Sequence, residues 1–231
     1  MSATAWQVRD TGQRLPVPGL PAWLEPLATG LDGVHVRDLT RFVPPPEGGR
    51  DSAVLILLGH GAQGPDVLLI QRADDMRAHA GQPAFPGGAR DSDDIDAAAA
   101  ALREAEEETG LDPRGVEVFG LLPTLWVPVS GFVVAPVIGW WRDPSPVSAV
   151  DRAEVASVHR IPIAELAEPA HRMRVRHPSG YVGLGFEVHG LTVWGFTAGL
   201  LSGILDLGGW ARPWDPDRVV TVGAEPDEGA P

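Results

Sequence analysis

Two short apolar runs, Ala53–Leu58 and Val67–Ile70, are bounded by polar and turn-forming residues, which predicts a pair of strands. Between them, Gly59-His60-Gly61-Ala62-Gln63-Gly64 has the form G-x-G-x-x-G. A dinucleotide site would open a helix at that point. Pro65-Asp66 instead leads directly into the second run, so the glycines predict a hairpin loop. Val116–Leu122 and Phe132–Trp141 predict further strands, the second apolar throughout and so buried on both faces. Glu154–Arg160 reads as a short strand or loop, and Pro162–Ala167 begins a short helix. Met173–Arg176 and Tyr181–Val188 predict a hairpin turning at Pro178-Ser179-Gly180, and Leu191–Leu207 predicts a closing apolar helix. Upstream, Leu20–Leu31 sets Trp23, Leu24 and Leu27 on one helical face before Pro44-Pro45-Pro46 and two glycines break the chain. This mixture predicts an α/β sandwich. Residues 1–45 are read as an N-terminal extension, 46–210 as the domain, and 211–231 as a tail disordered at its end.

One segment departs from this pattern. Residues 87–111 hold eight carboxylates and two arginines, about half of the chain's net charge of −13. The second half is an alanine-rich helix former ending at Gly110. Glu104, Glu107 and Glu108 fall at i, i+3 and i+4, hence on one helical face. Like charges so placed repel by a few tenths of a kcal/mol per pair. Hard divalent cations such as Mg²⁺ or Mn²⁺, which prefer carboxylate oxygen, would offset that repulsion. A solvated acidic face is the plainer alternative. A calcium loop built on Asp91, Asp93 and Asp94 is weak, because Ile95 sits where an oxygen ligand is needed and Asp96 where glycine is needed.

The segment resembles the Nudix box, G-x5-E-x7-R-E-U-x-E-E-x-G-U with U aliphatic, the signature of hydrolases that cleave nucleoside-linked diphosphates. Arg103, Glu104, Ala105, Glu107, Glu108, Gly110 and Leu111 match its second half. The first half is shifted: Gly88 fits if one residue is inserted, and Asp94 is then the nearest acid to the expected glutamate. The resemblance implies a Nudix-type α/β/α sandwich, with a mixed β-sheet between helices and a loop-helix-loop catalytic motif. It also implies Glu104, Glu107 and Glu108 as metal ligands and catalytic residues. Arg103 joins the catalytic group by bracing Glu107, and Glu154 is a candidate for a later base.

Upstream, Leu68-Leu69-Ile70-Gln71-Arg72-Ala73, Arg77, Gly81 and Phe85-Pro86-Gly87-Gly88 resemble the extra signature of the coenzyme A diphosphatase branch, L-L-T-x-R-S-x3-R-x3-G-x3-F-P-G-G. Ile70 and Ala73 stand where that signature has hydroxyls. The resemblance covers roughly residues 53–205 and implies a coenzyme A-like diphosphate as substrate. Arg72, Arg77 and Arg90 are candidate phosphate ligands beside Gly81, Phe85, Gly87 and Gly88, since arginine binds phosphate in a bidentate fork. The plainer reading pairs these arginines with neighbouring acids. His79 lies inside the motif, and Trp126 is a candidate border of the substrate.

Composition narrows the alternatives. All 18 basic residues are arginine, so a P-loop lysine, a kinase lysine and Schiff-base chemistry are excluded. Cysteine is absent, so there is neither a thiolate nucleophile nor a thiolate metal site. The net charge argues against nucleic acid as a partner, and no apolar run is long enough to span a bilayer, so the expected location is cytoplasmic. A homodimer is compatible with the sequence. Two other readings stay open: a Nudix hydrolase acting on ADP-ribose, a dinucleotide or a nucleoside triphosphate, and a non-enzymatic Nudix-like binding domain.

Overall fold

A computed structural model of the chain describes residues 9–40, 42, 48–73 and 81–223. In chain order these form β1 (Gln13–Arg14), α1 (Glu25–Gly30), α2 (Val36–Leu39), β2 (Arg50–Gly61), β3 (Gly64–Arg72), β4 (Pro83–Ala84), β5 (Gly87–Ala89) and α3 (Ala97–Thr109). Then follow β6 (Val116–Leu121), β7 (Leu125–Val127), β8 (Phe132–Trp141), β9 (Val155–Pro162), α4 (Ile163–Leu166) and β10 (Arg172–Arg176). The chain ends in β11 (Val182–Val188), β12 (Leu191–Trp194), α5 (Gly195–Leu207) and β13 (Val219–Thr221).

The larger sheet runs β1-β6-β8-β2-β3-β4, with β5 on β2, β7 on β8 and β9 on β3. β2 and β8 are parallel from Arg50↔Phe132 to Leu58↔Trp140, while β2–β3, β3–β9 and β6–β8 are antiparallel, so the sheet is mixed. The two-residue side-chain period of a strand explains its two cores. Ala53, Leu55 and Leu57 face one way and meet Ala100, Ala101 and Ala105 of α3. Ile56 and Leu58 face the other way and meet Leu24 and Leu27 of the N-terminal region and Leu200, Leu201 and Ile204 of α5. A second sheet, β12-β11-β10-β13, packs on that side as well. The fold is the expected mixed α/β sandwich.

Several boundaries differ from the sequence reading. The run Leu191–Leu207 is not one helix. His189 and Gly190 both have positive φ, as a tight hairpin turn requires, and Leu191–Trp194 pairs with β11 before Gly195 (φ 68°) turns the chain into α5. The predicted helix over Leu20–Leu31 shortens to Glu25–Gly30, with proline in its first turn and a 3₁₀ turn, Leu31–Gly33, after it. Leu24, Leu27, Ala28 and Leu31 are fully buried, so this part of the supposed extension belongs to the domain core. The supposed tail supplies β13, which pairs in parallel with β10. Its last residues, 224–231, lie outside the described residues.

Candidate active site

Helix α3 owes its place to signals at both ends. Asp96 caps the start, its Oδ1 accepting from Ala99 N at 2.8 Å. Gly110 closes the end in the left-handed conformation. The alanines let the helix lie close against β2, and Glu104 and Glu108 are thereby carried under β5. Gly87 N donates to Glu108 Oε2 at 2.9 Å. A Cβ on Gly88 would lie 2.4 Å from the carboxyl carbon of Glu104. Of the two glycines expected to bring backbone near phosphate, Gly88 makes room for the Glu104 carboxylate and Gly87 hydrogen-bonds that of Glu108. As strand β5 they pair with Ala53 and Val54 of β2.

Arg103 is the hub of the acidic face. Its Nε and Nη2 hold Asp94 Oδ1 and Oδ2 at 3.1 and 3.0 Å, a bidentate fork. Nη1 reaches Glu104 Oε1 at 3.0 Å and Glu107 Oε2 at 3.1 Å, and Nη2 also donates to Ala89 O at 3.2 Å. The expected brace on Glu107 is present, but the buried partner is Asp94. Arg103's hydrogen bonds hold the Asp94 carboxyl below its usual range, and Asp94 in turn raises the guanidinium. The one-residue insertion thus leaves an acid positioned to grip the box arginine. The other aspartates are also occupied: Asp91 Oδ1 accepts from Asp93 N at 3.2 Å, and Asp96 is the helix cap. Asp91 thus forms part of a turn where the calcium reading needed a ligand, and Asp96 is a cap where it needed glycine.

Glu108 is 7% exposed, and burial pushes its carboxyl up to about 7. The Gly87 N–H and Arg72 pull it down, while Glu104 and Glu154 push it further up. Burial also raises Glu104. These interactions bring Arg72 and Glu154 into the same neighbourhood as α3, although Glu154 itself is exposed. Arg72 Nε is buried and unpaired among the described residues. Arg90 approaches Asp51 at 3.6 Å, not Asp91.

Phe85 is 3% exposed within the main core, where it anchors the β4–β5 turn. Gly81 lies at the edge of this region, its carbonyl accepting from Gln71 Nε2 at 3.4 Å. Trp126 packs over Gly49. Arg77 and His79 lie outside the described residues. A small polar network went unread in the sequence: Ser157 donates to Gln71 Oε1 at 3.1 Å, and His159 Nε2 meets the same hydroxyl at 2.7 Å. The motif leaves Gln71 as a variable position, so only the β3–β9 pairing reveals it.

As they stand, no three acidic or histidine side chains among the described residues converge on one point as a metal cage. Arg103 draws Glu107 away. The donor chemistry nevertheless fits a hard divalent cation. Glu104, Glu107, Glu108 and Asp94 against Arg72 and Arg103 leave an excess of two negative charges, and buried Glu108 and half-buried Glu104 have raised proton affinity. Freeing Glu107 from a half-exposed ion pair requires only a side-chain rotation.

Comparison with known proteins identifies the family. Residues 49–179 match the NUDIX domain model. The chain is 44% identical over 160 residues to an uncharacterized Nudix hydrolase NudL of Citrobacter koseri, covering 66% of this chain and 79% of the relative. It is also 44% identical over 156 residues to the corresponding NudL protein of Salmonella paratyphi B, with coverage of 66% and 79%. A crystal structure of a Nudix hydrolase from M. smegmatis, RenU, is similar at 19% identity with a TM-score of 0.49, covering 75% of this chain and 94% of that one. No helix among the described residues is long and apolar enough to cross a membrane. The chain belongs to the Nudix family and is a Nudix hydrolase.

Proposed function

We propose that the protein hydrolyses the diphosphate of coenzyme A or an acyl-coenzyme A, giving adenosine 3′,5′-bisphosphate and (acyl-)4′-phosphopantetheine. Nudix hydrolases depend on divalent metal ions; here Glu104, Glu107 and Glu108 would hold Mg²⁺ or Mn²⁺. When bound, it supplies Lewis acidity at the phosphoryl oxygens and lowers the pKa of water. A water oxygen then bonds to one phosphorus, the P–O bond to the bridging oxygen breaks, and the water proton passes to a carboxylate. Glu154, near enough to perturb Glu108, is the candidate for that proton. Arg103 keeps Glu104 and Glu107 oriented through its fork on Asp94.

The observation that carries the reading is Arg72, with its buried unpaired Nε beside Glu108 and its place in the coenzyme A signature. Arg77, on spacing, and Arg90 would add charge for the 3′-phosphate, with Gly81, Gly87 and Gly88 allowing close backbone approach. Ile70 is fully buried and Ala73 is 7% exposed, so the two missing hydroxyls occupy packing positions and do not weaken the reading.

The test is a substrate panel with Mg²⁺ and Mn²⁺. Coenzyme A should have a higher kcat/KM than ADP-ribose. Loss of a 3′-phosphate contact, about 1.5–3 kcal/mol, should make 3′-dephospho-coenzyme A about 10- to 150-fold poorer. Arg77→Ala should shrink that gap. A preference for ADP-ribose would overturn the coenzyme A reading and leave the hydrolase.

A further inference from the structure

The least explained charge in the molecule lies on the far side of the large sheet from α3. Arg172, the first residue of β10, is 4% exposed. Its guanidinium rests against the rings of Phe186 and Trp214, 5.3 and 5.1 Å from their centroids. Nη2 donates to Ser202 Oγ of α5 at 2.8 Å. Among the described residues no carboxylate stands within ion-pair distance of it, and Asp206 acts on it only from farther away. Two other partly buried arginines are different: Arg103 holds Asp94 at 3.0 Å and Arg160 holds Asp66 at 2.7 Å. A buried guanidinium without a counter-charge is costly, and fold alone does not account for it, since an apolar side chain of similar volume would fill the space without that cost.

Arg172 also opens onto space. An open surface groove of about 500 Å³ is lined by Arg172, Ser202, Asp206, Leu184, Pro213 and Trp214, together with Arg212. Arg212 approaches Glu168 at 3.3 Å across an exposed surface. Because Arg212 is paired with Glu168, Arg172 is the lining guanidinium with no carboxylate at ion-pair distance among the described residues, and a single carboxylate on a ligand would complement it. Aromatic and aliphatic side chains beside one buried cation suit a ligand with an anionic head and an apolar body. We propose that this groove binds a small monocarboxylic acid with an apolar body, its carboxylate on Arg172 and Ser202 and its body against Leu184, Pro213 and Trp214. The site is independent of the diphosphate chemistry, because the residues that line it sit across the sheet from α3.

The test is calorimetry on the full chain in EDTA, which leaves no metal at α3 to attract anions. The probes are benzoate, neutral benzamide and inorganic phosphate. Benzoate should bind saturably and at least about 10-fold more tightly than benzamide, since a charge-assisted pair is at stake. Arg172→Met should weaken benzoate about 10- to 150-fold. Ser202→Ala and the exposed Arg212→Ala should each weaken it several-fold, while Arg212→Ala leaves diphosphate hydrolysis unchanged. Those two variants keep the proposal testable if Arg172→Met does not fold. Equal binding of benzoate and benzamide, or binding of phosphate in place of benzoate, would overturn it. So would benzoate affinity indifferent to both Ser202→Ala and Arg212→Ala.

Discussion

Helices α3 and α5 are each 13 residues long and pack on opposite faces of one sheet, yet they are held in different ways. α3 carries four glutamates, buries mainly alanine, and is fixed by a side-chain cap at its start and a glycine at its end. α5 has no side-chain cap at its start and instead buries Ala198, Leu200, Leu201, Ile204 and Leu205. Burying a leucine is worth about 1.5–3 kcal/mol, whereas like charges at i, i+4 subtract a few tenths. α5 is therefore a stability element, while α3 gives up stability to concentrate carboxylates against β5. The difference predicts that mutations on the two helices separate into losses of chemistry and losses of fold.

The largest effect should come from α3. Glu107→Gln and Glu108→Gln keep the shape and remove a charge. Each should lower turnover by more than about 100-fold at saturating Mg²⁺, beyond the range usual for residues that merely support metal ligands. Thermal melting should stay within a few degrees. Near-normal turnover in both variants would place the chemistry elsewhere. On α5 the pattern should invert: Leu201→Ala leaves a cavity in the main core and should cost about 2–5 kcal/mol by urea unfolding, with kcat unchanged in the folded fraction.

A pH effect of intermediate size sharpens the contrast. Glu108 sits at about 7, above its ordinary 4.5. A carboxyl raised in the folded state favours folding below its unfolded value, and that contribution is lost as pH rises through the folded one. In EDTA the unmutated protein should therefore lose stability between about pH 4.5 and 7, by up to ~3 kcal/mol from this group. Glu108→Gln should flatten much of that loss, and Mg²⁺ should recover stability at pH 8 for the unmutated protein. An equal pH slope in the variant would mean that Glu108 is not the buried acid responsible. No α5 substitution at a leucine should alter the slope.

The same contrast explains what the sequence disclosed. α3 was legible because its signals are local: a capping aspartate, an alanine run, glutamates at fixed spacing, a terminal glycine. The start of α5 was not. Leu191–Leu207 is apolar throughout, and only the His189-Gly190 turn and pairing with β11 separate strand from helix. Phe85 read as a substrate residue because it sits in a motif, but burial against the core is a tertiary fact. Asp94 was visible only as the nearest acid, since its fork to Arg103 needs the loop's three-dimensional path. Arg172 gave no signal at all, because its isolation depends on which strands and helices surround it.

The smallest predicted effect tests whether the two kinds of support can be separated within α3 itself. Asp96 accepts from Ala99 N and touches none of the box carboxylates, which begin eight residues later at Glu104. Asp96→Ala should cost about 1 kcal/mol, the usual worth of a helix cap. For a chain of this size that lowers Tm by about 2–4 °C. Turnover should change by no more than about 2-fold, because the alanine face and Gly110 still register α3 on β2. A scan of Tm and kcat on one preparation decides the matter. A turnover loss approaching that of Glu107→Gln would mean that the cap sets the depth of the glutamates under β5, and α3 could no longer be divided into a part that holds and a part that reacts.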